Sequence, residues 1–136
     1  MTLIECFINS PVENIAASLC LKPDKVIFIG SAEDMHKKKE KYRLLLEKKG
    51  VFPDFICKDT EIDCFESAKK AIKKAVLSEK DCVLDITGGQ ENVLLAAGYV
   101  YNSLKATHPF KIMRFDENSS LMTDVITKQK NIGKRA

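Results

Sequence analysis

Short apolar runs alternate along this chain with longer stretches in which apolar residues recur every three or four positions. Residues 3–8, 26–29, 52–57 and 82–86 read as strands, and the last of these carries apolar side chains on both faces. The periodic segments between them predict helices. One runs over about 11–19, with Val12, Ile15, Ala16 and Leu19 on one face. A second runs over 32–49, burying Met35, Tyr42, Leu45 and Leu46. A third runs over 62–77, with Phe65, Ala68, Ile72 and Val76 inward. A fourth helix, apolar almost all round, follows 82–86 and reaches about residue 105. Residues 111–115 and 121–127 then form two more strands, and the polar connector 116–120 makes them a hairpin.

Helix boundaries carry their own marks. Ser10 with Glu13, Ser31 with Asp34, and Thr60 with Asp63 each place an N-cap residue three positions before an acid, and Pro11 suits a first helical position. Gly50 reads as a C-terminal cap, and Pro53 places the third strand at a sheet edge. Regular strand–helix alternation predicts an α/β fold: a three-layer Rossmann-like sandwich, mostly parallel, with a C-terminal β-hairpin. Residues 1–127 are expected to form one domain. Residues 128–136 are a polar, basic tail, flexible or a point of truncation.

The densest chemistry lies at the fourth strand–helix junction, Asp85-Ile-Thr-Gly-Gly-Gln-Glu-Asn92. Two glycines beside a helix start leave backbone N–H groups uncovered at the positive end of the helix dipole, where a phosphate or other anion can sit. Thr87 and Gln90 also have the spacing of a capping box, which needs no ligand but leaves the two glycines unexplained. Asp85, inside an apolar strand, is read as structural, accepting hydrogen bonds from the following turn. No second titratable group is visible to make it a general base. If strand one lies beside strand four, the crevice at their carboxyl ends is walled by Asn9-Ser-Pro-Val-Glu-Asn14 and by Thr87-Gly-Gly-Gln-Glu-Asn92. Neither loop supplies a lysine or arginine.

Composition and charge narrow the classes. The 136 residues suit a single core, and a net charge of +3 tolerates an anionic ligand without the dense basic patch of a duplex binder. The lysine run 37–41 lies opposite an intact apolar stripe, as do Lys69, Lys70, Lys73 and Lys74, so both read as solvated faces. The five cysteines are scattered without a CxxC pair, the pattern of reduced thiols in a cytoplasm. No apolar run approaches the roughly 18 residues of a membrane span. Neither His36 nor His108 has a partner at metal-ligand spacing, so no metal and no cofactor are expected. Dinucleotide, Walker A and nucleophile-elbow motifs are all missing.

Strand-Asp-x-Thr-Gly-Gly before an apolar, alanine-rich helix resembles the CRISPR-associated Rossmann fold (CARF) sensor domain. Asn9-Ser-Pro11, Asn14, Lys22-Pro-Asp-Lys-Val-Ile-Phe-Ile29 and Ile112-Met-Arg-Phe-Asp116 are similar to the subgroup that carries a PD-D/ExK-type nuclease behind the sensor. The resemblance leaves two expectations for these residues, a free-standing sensor or the sensor half of a larger protein whose C-terminal nuclease domain lies outside them. The resemblance implies a homodimer that binds a cyclic oligoadenylate, most of all cyclic tetra-adenylate, across its two-fold axis in type III CRISPR antiviral defence. Its ligand contacts would come from Asn9, Ser10, Pro11, Asn14, Thr87, Gly88, Gly89, Gln90 and Glu91. Ala96, Ala97 and Gly98 would allow close packing on the sheet or a partner. Two chains would bring a charge of twice +3, that is +6, to four phosphates. The family motif often continues Thr-Gly-Gly-Thr-Lys, where this chain has Gln90 and Glu91. Two alternatives stay open. One is a metal-independent ring nuclease with Ser10 or Thr87 taking part in cleavage. The other is a generic nucleotide-binding Rossmann-like domain.

Overall fold

A computed structural model describes residues 1–6 and 11–129, with the side chains at 11–14, 34 and 37 outside the description. Six strands form one sheet in the order β3-β2-β1-β4-β5-β6. In chain order the elements are β1 (Thr2–Cys6), α1 (Pro11–Leu21), β2 (Lys25–Gly30), α2 (Ala32–Lys48), β3 (Asp54–Asp59), α3 (Phe65–Leu77), β4 (Cys82–Asp85), α4 (Glu91–Leu104), β5 (Lys111–Asp116) and β6 (Leu121–Asp124). The pairs β1–β2, β1–β4, β2–β3 and β4–β5 are parallel, and only β5–β6 is antiparallel. The alternation expected from the sequence is therefore a Rossmann-like α/β sandwich closed by a hairpin.

Each face of the sheet has its own core. Leu3, Val26, Phe28 and Val83 pack against Ala17, Leu21, Met35, Tyr42 and Leu46 of α1 and α2. Ile4, Ile27, Ile29 and Leu84 pack against Ala68, Ile72, Val76, Val93, Ala96, Ala97 and Val100 of α3 and α4. Strand alternation sends successive side chains to these two layers, which is why β2 is apolar from Val26 to Ile29, while β1 and β4 each bury one carboxylate, Glu5 and Asp85. Beneath α2, the Tyr42 ring meets Phe28 edge-on at 5.0 Å, and its hydroxyl shares a buried 2.6 Å hydrogen bond with Ser18 Oγ. Burial, reinforced by the nearby Glu5 carboxylate, holds the Tyr42 phenol well above its usual range.

Several boundaries move for identifiable reasons. The end of α2 is a Schellman motif: Val51 N–H donates to Leu46 O and Gly50 N–H to Glu47 O, with Gly50 at φ 76°. Strand β3 begins at Asp54, so Pro53 precedes the strand and does not interrupt it, and β3 does form a sheet edge. The third helix starts at Phe65, not at residue 62. Its N-cap is Cys64, whose side chain pairs with the Ser67 backbone while Ser67 Oγ accepts from Cys64 N–H at 3.3 Å. Ile62 is buried all the same, from the preceding loop. Strand β6 stops at Asp124, whose Oδ1 accepts from Ile126 N–H and Thr127 N–H and turns the chain. No described helix is long and apolar enough to cross a membrane.

Candidate functional site

Strands β1 and β4 are neighbours, with Glu5 opposite Asp85, so the strand order reverses between them. Such a reversal is where an open α/β sheet places its ligand crevice, at the carboxyl ends of the two strands. Its β1 wall, with the candidate residues Asn9 and Ser10, lies outside the described residues. Pro11 and Asn14 belong to α1 by their backbone, and their side chains fall outside the description. The β4 wall is fully described.

That wall is a tight turn fixed from below. Gly88 takes φ 69°, and Gly89 N–H donates to Ile86 O at 3.0 Å. A positive φ at the third position of a β-turn is the type II requirement that glycine meets. Asp85, 3% exposed, accepts at Oδ1 from Thr87 N–H at 2.9 Å and from the Thr87 hydroxyl at 2.6 Å. Thr87 Oγ1 in turn accepts from Phe115 N–H at 2.8 Å, and Ile86 N–H donates to Met113 O at 2.9 Å. The turn is thus latched onto β5 as well as onto its own strand.

This geometry replaces the capping box read between Thr87 and Gln90. The N-cap of α4 is Gln90, at φ −76° and ψ 163°, without a side-chain cap bond, and Val93 and Leu94 N–H both point to Gln90 O. Thr87 is drawn to Asp85 and Phe115 and is unavailable as a cap. The glycines stand ahead of the helix, not in its first turn, and Gly89 N–H is engaged within the β-turn. The N–H groups of Glu91 and Asn92, in the first helical turn, are the ones a helix start leaves unpaired within itself. A side chain at Gly89 would put its Cβ 3.1 Å from Ile86 O, so the carbonyl would have to yield by a few tenths of an ångström. Asn92 Nδ2 donates to Ile62 O and ties the start of α4 to the loop before α3.

Nucleophiles are not a feature of this wall. Burial, with Asp85 nearby, pushes the Cys6 thiol up to about 12, a buried thiol of low reactivity. Cys64, fully exposed at the start of α3, is shifted the other way by the Ser67 hydroxyl.

Two further groups adjoin the turn, and local reading of the two loops missed both. Arg114 lies on β5 between Met113 and Phe115, which hold Ile86 and Thr87. Its side chain projects with Thr123 to the face that carries α3 and α4, away from Met113 and Phe115. The second group is the outer face of α4. Leu94, Leu95 and Tyr99 are 41%, 66% and 53% exposed. Phe65 extends this face, its ring 5.8 Å from Tyr99, with Lys69 Nζ 4.9 Å from the Tyr99 ring centre. Ala96 and Ala97 are buried against the sheet, whereas Gly98 faces open space.

The fold has relatives of known structure. It superposes on Can2 from Sulfobacillus thermosulfidooxidans in complex with cyclic tetra-adenylate, with a TM-score of 0.78 and 15% identity. That match covers 96% of this chain and 36% of that one. Protein VC1899 from Vibrio cholerae matches with a TM-score of 0.70 and 18% identity, covering 96% and 34%. The chain therefore spans about a third of the length of these two proteins. At such identities the likeness establishes the Rossmann-like fold. No protein-family model and no curated protein sequence matches the chain.

Proposed function

We propose that this chain is a CARF-type sensor domain that binds a cyclic oligoadenylate, cyclic tetra-adenylate above all, between two copies of itself. The observation that carries the reading is the Asp85–Gly89 turn. It stands at the strand-order reversal, is latched to two strands, and opens beside a helix start. The fold likeness to a protein solved with cyclic tetra-adenylate supports it. So does the apolar outer face of α4, which begins one turn beyond Gly89 and is the surface a second copy would cover. A two-fold symmetric ring suits an isologous interface that presents each turn twice. Ligand contact falls to the backbone of Gly88 to Glu91 and to Asn9, Ser10, Pro11 and Asn14. Thr87 acts through the latch. Because its hydroxyl proton already goes to Asp85, sensing is favoured over a Thr87-assisted ring cleavage.

Titration calorimetry with cyclic tetra-adenylate, against cyclic hexa-adenylate and ATP, tests the reading. One ring per two chains is expected, without a linear product on metal-free incubation. No heat with any ring would overturn it. Gly89→Val, which crowds Ile86 O, is expected to abolish the ring's heat while the melting temperature stays within a few degrees. Undiminished affinity in that folded variant would move the ligand elsewhere.

A further inference from the structure

A second groove, of about 500 Å³, lies on the β5–β6 hairpin between Arg114, Asp116, Thr123, Asp124, Val125 and Lys128. Its volume falls within the range of small-molecule sites. Arg114 and Thr123 are direct cross-strand neighbours, and they project to the face opposite Met113 and Phe115, the side that carries α3 and α4.

The four charged residues of the groove are not equivalent. The carboxylates hold turns: Asp116 accepts from Asn118 N–H at 3.1 Å and from Ser119 Oγ at 2.9 Å, and Asp124 Oδ1 accepts from Ile126 N–H at 2.9 Å and Thr127 N–H at 3.1 Å. Arg114 and Lys128 form no ion pair with any described residue, although both carboxylates line the same groove. Lys128 is held at φ 63°, a left-handed conformation unfavourable for lysine. Two backbone bonds hold it there: Lys128 N–H to Asp124 O at 2.7 Å, and Asp124 N–H to Gln129 O at 2.8 Å. The Thr123 hydroxyl oxygen, shielded from water, lacks a hydrogen-bond partner among the described residues. The groups left over for a ligand are thus a forked cation and a point cation.

We propose that this groove binds a phosphodiester group, with Arg114 gripping its two unesterified oxygens and Lys128 supplying the second positive charge. A guanidinium matches phosphate bidentately. The carboxylates in the lining repel the dianion of a phosphomonoester more than the single negative charge of a phosphodiester. The site stands whether or not the β1–β4 crevice binds a ring.

The test is an amide and arginine-side-chain NMR titration at low salt with linear tetra-adenylate bearing hydroxyls at both ends. Shifts are expected at the Arg114 Nε–H and at the amides of Thr123, Val125 and Lys128. Added salt should weaken them. Arg114→Gln should lower affinity about tenfold, as for one lost charge-assisted contact, and Lys128→Gln by a smaller factor. Gly89→Val should leave this binding intact, which separates it from the ring site. Shifts with cyclic but not linear tetra-adenylate would assign the phosphodiester to a ring, and shifts with both to strands generally. Unchanged affinity in folded Arg114→Gln and Lys128→Gln, equal binding of inorganic phosphate, or shifts confined to Glu91 and Asn92 would overturn the proposal.

Discussion

The outer faces of α2 and α4 are opposites, although both helices cover the same sheet. On α2 the outward positions are mostly charged and tied along the helix, with Leu44 a lone exposed apolar residue: Arg43 contacts Glu40 and also Glu47, the latter at 3.1 Å. On α4 the outward positions are Leu94, Leu95 and Tyr99, and the turn that precedes them is pinned to β5. The inner faces do the same work, since Tyr42 and Leu46 are as buried as Val93 and Val100. The contrast shows that α2 is finished as a solvent surface, whereas α4 is suited to being covered.

Leu95→Glu should break that contrast most strongly. It places a charge in the centre of the apolar face and is expected to weaken self-association about a hundredfold. The isolated chain should keep its stability to within about 0.5 kcal/mol, because the position is exposed. Sedimentation across a concentration range reads the first effect and chemical denaturation the second. A dimer that survives the substitution would remove α4 from the interface. Tyr42→Phe probes the inner side of α2. It strands Ser18 Oγ in the core and should cost about 1–2 kcal/mol, seen as a lower denaturation midpoint with an unchanged slope. Glu40→Gln, on the outer side of α2, loosens only an exposed ion pair. No measurable change in melting temperature is expected, and a clear drop would mean that the charged face does more than meet water.

The same contrast marks what local sequence pattern can convey. Alternation of Ile27, Phe28 and Ile29 between two cores makes β2 legible as a buried strand, and Gly50 after Lys48 gives the end of α2 away. The outer face of α4 was harder. Its sequence is apolar almost all round, which marks it as covered but does not say by what. Thr87 and Gln90 satisfy the capping pattern, yet Asp85 and Phe115 claim the hydroxyl, and Phe115 is 28 residues distant. Thr60 and Asp63 look like a cap and put the start of α3 too early, whereas Cys64 and Ser67 form the cap. The backbone of Phe115 is invisible as a latch for the same reason. A strand residue becomes part of a neighbouring turn only once β4 and β5 are paired.

The β1–β4 pairing that creates the crevice also has a consequence in time. β1 lies at the centre of the sheet, flanked by β2 on one side and β4 on the other. During synthesis its partner β2 follows within some twenty residues, but β4 begins at Cys82. At about 5–20 residues per second, one whole edge of β1 waits roughly 4–16 s for its second neighbour. Until then the nascent N-terminal half presents an apolar strand with an open row of backbone donors and acceptors, the form most inclined to pair with the wrong chain. The β1–β4 junction is therefore the last seam of the sheet's centre to close.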